Sequence, residues 1–139
     1  MLFRSPQPNR PVTAGWVSVS VPAAEGVPAT TMRSWWSRPS EGAARAGLLV
    51  LPEVFGVNRW VRNVADRLAG EGYTALAINP FSRTAPALDL GYDAAGLAAG
   101  REHRDRVSAV QVLADAAAAV AWLQGRLGEK PVEIGRAHV

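Results

Sequence analysis

Between residues 46 and 79 the spacing of apolar positions changes period twice. Leu48-Leu49-Val50-Leu51 is an unbroken apolar run with no polar alternation, which predicts a short strand buried on both faces. Pro52-Glu53-Val54-Phe55-Gly56 ends the run and puts a carboxylate directly behind the strand. From Asn58 the spacing turns helical. Val61, Val64, Ala65 and Leu68 share one face, and Arg62, Asn63, Asp66 and Arg67 lie off it. Asn58 is the expected N-cap and Gly72 the expected left-handed terminator. Residues 73–78 are a second buried strand. Strand, helix and strand in this order form a βαβ unit with a right-handed crossover, and the rest of the chain is read around it.

Upstream, residues 16–21 alternate apolar with polar, as a half-exposed strand does. A Gly/Pro turn over 22–28 leads to a second strand near 31–37, which puts Trp35 and Trp36 on opposite faces. These two strands form an antiparallel hairpin. The tryptophans suit packing at a sheet edge better than a stacking platform. Residues 1–15 carry three prolines and no periodicity, and are expected to be a disordered arm. Downstream, residues 84–100 are rich in Ala, Gly, Leu and Asp and show no clear period. The charged run 101–106 reads as a solvated helix start. Residues 106–127 are the longest expected helix, with Val110, Leu113, Ala117, Val120 and Leu127 as its apolar stripe and Gly128 as its stop. The fold class is α/β: an antiparallel hairpin leading into a parallel sheet flanked by helices.

Composition narrows the partners. A chain of 139 residues is one domain large enough for a real core, and 48% apolar with 19% charged residues is ordinary for a globular protein. With no cysteine there is neither a disulfide nor a thiolate metal site. The +3 charge comes from 14 Arg and one Lys against 12 acids. The arginines are scattered, so a solvated surface fits better than a nucleic-acid interface. No stretch approaches the roughly 20 apolar residues of a membrane span, and the first residues lack the apolar core of a signal peptide. A cytoplasmic protein is expected, without cofactor, metal, nucleic-acid or membrane partner.

Ligands in open α/β sheets bind beyond the carboxyl ends of the strands. Glu53 sits at such an end, and so does Asn79-Pro80-Phe81-Ser82-Arg83. On spacing alone, a solvated loop is the slightly stronger reading of Glu53. The residue identities shift that balance. Leu51-Pro-Glu-Val-Phe-Gly-Val-Asn58, then Val64-Ala-Asp-Arg-Leu-Ala-Gly-Glu-Gly-Tyr-Thr-Ala-Leu-Ala77 and Phe81-Ser-Arg83, resemble the dienelactone hydrolase family of α/β-hydrolases, which use a Cys-His-Asp triad. The resemblance runs from about residue 17 to about 132 and implies a partial α/β-hydrolase fold. It also implies roles: Glu53 as the carboxylate that helps activate the nucleophile, the Val54 N–H as the first oxyanion donor, and Arg83 as the group that grips a substrate carboxylate. The family usually has Pro-Asp after the second strand of the unit, where this chain has Asn79-Pro80. Residues 84–100 resemble the region that roofs the family's active site.

The remaining chemistry is missing from the chain. Ester hydrolysis on this fold needs a nucleophile on a Gly-x-Ser/Cys-x-Gly elbow, followed by an acid and a histidine. The sequence has no such elbow and no cysteine. Ser108 lacks flanking glycines, His103 lies in the charged run, and His138 is penultimate, so none is assigned a catalytic role. In the family the nucleophile strand follows the long Ala-rich helix. Here Lys130-Pro131-Val132 leads into that strand. Residues 133–139 can be encoded as GAG-ATC-GGA-AGA-GCA-CAC-GTC, which resembles a sequencing adapter read in frame, and are expected to be a non-native tail. The resulting reading is an N-terminal fragment of a carboxylic ester or lactone hydrolase that works through an acyl-enzyme on a small-molecule substrate. The fragment itself is expected to be inactive and to expose an apolar sheet edge. Two alternatives stay open: a fragment of a serine esterase or peptidase of the same superfamily, and a complete, non-catalytic α/β binding module.

Overall fold

The computed structural model describes residues 10–137. Its strands are β1 (Val12–Val21), β2 (Thr30–Pro39), β3 (Gly47–Leu51), β4 (Thr74–Ala77) and β5 (Val132–Arg136); its helices are α1 (Arg59–Gly70), α2 (Ala94–Asp105) and α3 (Ala109–Leu127). The strands form one sheet in the order β1-β2-β4-β3-β5. β1 and β2 make the expected antiparallel hairpin, and β2 also pairs antiparallel with β4. β3 and β4 are parallel neighbours, with Leu48 opposite Ala75 and Val50 opposite Ala77, as the βαβ reading requires.

Alternation along the strands divides the core into two layers. Val19, Met32, Leu49 and Leu76 face α3, where Ala119, Leu123 and Leu127 cover them. Val50, Ala75 and Ala77 face α1 and meet Val61 and Ala65. The adjacent Trp35 and Trp36 split between the layers, as the pleat demands. The Trp35 indole packs edge-on against Trp16 at 5.1 Å and donates to Asp66 of α1 at 2.9 Å. Trp36 packs edge-on against Trp122 of α3 at 4.9 Å and donates to the Thr74 hydroxyl at 2.7 Å. Both pairs are packing, not a stacking platform. Asn58 caps α1 by accepting from the Val61 N–H at 3.1 Å, and Gly72 leaves that helix at φ +101°. Gly47 lets α3 come close: a Cβ there would stand 2.5 Å from the Leu127 Cδ1.

Four expectations change. β1 starts at Val12, inside the stretch expected to be a disordered arm, because Ser40 N–H donates to the Pro11 carbonyl and the Thr13 and Ser40 hydroxyls bond at 2.7 Å; the earlier part of that arm lies outside the described residues. The charged run 101–106 ends α2 instead of starting a helix. Asp93 caps α2 through the Gly96 N–H at 2.7 Å, and the basic residues of the run lie at its C-terminal end, where the helix dipole favours them. On α3 the buried line is Asp115, Ala119, Leu123 and Leu127, while Val110 and Leu113 are 54% and 69% exposed and Ala117 is exposed too. An alanine-rich helix has little polar contrast to mark its inner face, and Asp115 turns inward because it has a buried partner. Finally, residues 133–136 of the expected tail are strand. The chain leaves α3 through Gly128 (φ +66°) and lays Val132 to Arg136 along the free edge of β3, parallel, from Gly47↔Val132 to Leu51↔Arg136. Backbone pairing needs no particular side chains, so an edge with open N–H and C=O groups accepts such a segment.

Candidate active site

β3, β4 and β5 all deliver their carboxyl ends to one edge of the sheet. There a cleft of about 460 Å³ opens, with Glu53, Val54 and Phe55 on one wall and Pro80 and Phe81 on another. Leu97, Arg101 and Arg104 of α2 form its roof, Val112 of α3 adds an apolar wall, and Arg136 closes the side next to β5.

The loop behind β3 is held from several directions. Gly56, at φ +81°, turns the chain so that its N–H donates to the Glu53 carbonyl at 3.3 Å. Residues 88–92 strap the loop from outside. Gly56 bridges to Asp89, and Leu90 N–H donates to the Phe55 carbonyl at 2.9 Å. Tyr92 packs edge-on against Phe55 and donates to Asn58 Oδ1 at 3.3 Å. α2 presses on the loop at Gly100, where a Cβ would overlap the Val54 carbonyl. Glu53 is half-buried, and the Arg136 guanidinium reaches to 4.0 Å from its carboxylate. Among the described residues, no acceptor meets the Val54 N–H. A braced loop with an open N–H beside a carboxylate can stabilise a developing oxyanion.

The loop behind β4 is organised by Asn79. This buried side chain accepts from the Phe81 N–H at 3.0 Å and donates to the Ala85 carbonyl at 2.7 Å. Thr30 and Ser82 hydroxyls tie the loop to β2. Arg83 then departs from its expected role. Its guanidinium forms a bidentate pair with Asp115 at 2.9 and 3.0 Å, and its Nε–H donates to the Pro28 carbonyl at 2.8 Å. Asp115 is fully buried. With its fork committed in this way, Arg83 does not line the Glu53 cleft and is a strut between the post-β4 loop, α3 and the β1–β2 turn. The structure thus places the residue expected to grip a substrate carboxylate in a pair with Asp115, outside the lining of the Glu53 cleft. The sequence carried one sign of this pairing: Asp115 is the lone charge in an Ala/Val stretch.

His103 bonds to the Thr84 hydroxyl at 2.9 Å, and Ser108 caps α3 in a capping box with Gln111. The two have separate structural partners, and His138 lies outside the described residues. No group of three His, Cys, Asp or Glu that could hold a metal occurs among the described residues. No single described helix is long and apolar enough to cross a membrane.

The sequence model of the dienelactone hydrolase family matches residues 32–136. The chain belongs to that family. A Synechocystis protein bearing the name carboxymethylenebutenolidase is 40% identical over 88 residues, which cover 63% of this chain and 36% of that protein. A Methylorubrum extorquens protein of the same name is 32% identical over 107 residues, or 77% of this chain and 34% of the relative. Among solved structures, a dienelactone hydrolase from Klebsiella pneumoniae superposes with a TM-score of 0.68 at 26% identity, covering 89% of this chain and 49% of that one. A dienelactone hydrolase-like promiscuous phosphotriesterase from metagenomic libraries gives 0.61 at 27%, covering 89% and 48%. The chain thus spans about half the length of these solved relatives, and the stretches matched in the named relatives are about a third of theirs.

Proposed function

We propose that this chain is the N-terminal part of a dienelactone-hydrolase-type enzyme that opens small carboxylic esters or lactones through an acyl-enzyme. The observation that carries the reading is the pairing of Glu53 with an unengaged Val54 N–H on a braced loop at the carboxyl end of β3, in a chain of this family. In the proposed reaction the nucleophile attacks the ester carbonyl, and the Val54 N–H donates to the oxygen as it gains charge. Glu53 accepts a proton or hydrogen bond from the nucleophile and so favours its anionic form. The nucleophile, its acid and its histidine lie in sequence that this chain does not contain.

A chimera tests this. The residues of the Synechocystis relative that match this chain are replaced by those of this chain, and lactone and aryl ester hydrolysis are measured. The expected outcome is a folded, active chimera in which Glu53→Ala lowers kcat by roughly 100-fold. A folded chimera with no hydrolysis, or full activity after Glu53→Ala, overturns the proposal. The 139-residue chain alone is expected to show no turnover above background.

A further inference from the structure

At the opposite edge of the sheet, near the first residues of β3 and β4, a second cavity of about 210 Å³ lies between the end of β2 and the end of α3. It is lined by Trp36, Arg38, Thr74, Arg126, Leu127 and Lys130, with three cations and no acid in its lining. The Arg38 guanidinium lies 3.6 Å over the Trp36 ring, and Arg126 lies 3.4 Å over Trp122 and 5.5 Å from Trp36. The Lys130 ammonium donates to the Ala44 carbonyl at 2.7 Å, and one Arg126 nitrogen donates to the Trp122 carbonyl at 2.9 Å.

These contacts orient the cations without neutralising them. A guanidinium stacked on an indole keeps its in-plane N–H donors directed outward, and an ammonium holding one carbonyl has two donors left. The ion pairs among the described residues join other side chains, and Glu41 and Glu129, the acids nearest in sequence, pair with none of the three. Three like charges around one cavity repel one another, and a bound anion relieves that repulsion. The Trp36 and Thr74 side chains hold each other, so the floor of the cavity is already fixed. Its volume is below the roughly 300 Å³ at which drug-sized ligands start to fit.

We propose that this cavity binds a small organic anion: one phosphate or carboxylate group held between Arg38, Arg126 and Lys130, on an apolar body of a few atoms resting against Leu127. The site lies at the opposite end of β3 and β4 from Glu53 and shares no lining residue with the Glu53 cleft, so the two are separate.

The test uses the chain itself, titrated with inorganic phosphate, phenyl phosphate and benzoate, with sodium chloride at matched ionic strength as control. Binding is read by calorimetry and by the indole N–H resonances of Trp36 and Trp122. The expected result is saturable binding that moves both indole signals. Phenyl phosphate or benzoate identifies the preferred oxyanion, and either organic anion is expected to bind more tightly than inorganic phosphate. Arg38→Gln with Arg126→Gln should weaken binding at least tenfold, while Arg33→Gln, which removes the cation over Trp16 on the other face, should leave it unchanged. If the double variant does not fold, Lys130→Gln, a change at an exposed residue, should still weaken binding about threefold. Shifts no larger than those with chloride, or binding indifferent to Arg38, Arg126 and Lys130, overturn the proposal.

Discussion

β4 and β5 are mirror cases. Each lies parallel to β3, one on either side, and each ends at the edge that carries Glu53. All four residues of β4 are buried, and β2 pairs with its other edge. In β5 only Val132 is partly covered; Glu133, Ile134, Gly135 and Arg136 are exposed, and its outer edge has no partner among the described residues. The ladder to β3 is of one kind on both sides. What differs is the cover perpendicular to it: β4 is buried along its whole length with α1 and α3 on its two faces, whereas β5 is exposed from Glu133 to Arg136. Position in a sheet is therefore set by the backbone, but stability comes from the layers above and below.

The sharpest way to break this contrast is at the strand exits. The chain leaving β4 is clamped by Arg83 and the buried Asp115. Asp115→Ala strands a guanidinium whose side chain is 12% exposed, and should cost about 3–5 kcal/mol in urea unfolding. Replacing both partners by leucine should recover most of that loss. Within the strands, Leu76→Ala in β4 should cost about 2–5 kcal/mol, and Ile134→Ala in β5 at most about 0.5 kcal/mol, by the same measurement. Equal effects would show that β5 is packed as firmly as β4. Gly47→Ala forces a methyl against Leu127 and Val132 and should cost about 1–3 kcal/mol, with faster amide exchange in β5 than in β4. Smallest is Arg136→Gln: at 4.0 Å, with a side chain 67% exposed, its contact with Glu53 should be worth at most about 0.5 kcal/mol.

The same contrast explains what the sequence made legible. β3 shows itself as an unbroken apolar run, β4 as the second strand of the same βαβ unit, and α1 by its period, cap and glycine stop, because side chains that enter a core leave a pattern. β5 has no such pattern: four of its five residues are exposed, and residues 133–136 carry neither an apolar run nor an alternation that marks a strand. α2 was obscure for a related reason: its alanines and glycines permit a helix without marking a buried face. At the site, Glu53 and Val54 were placed by the strand end that carries them. The fate of Arg83 depended on Asp115, 32 residues away, and no local pattern reports a long-range ion pair. Val110 and Leu113 stand exposed on α3, so the chain should bind a hydrophobic dye through this face.

The two edge-on indole pairs have an optical consequence. Trp16 and Trp35 sit on the α1 face, and Trp36 and Trp122 on the α3 face, with ring planes at 76° and 90°. Strong transition dipoles held this close and this steeply inclined couple to one another, and each pair should give its own circular-dichroism couplet. Trp35→Phe would silence the couplet of one layer and Trp122→Phe that of the other. The two sides of a single sheet thereby carry separate colours, and loosening of the α3 layer could be followed while the α1 layer stays intact.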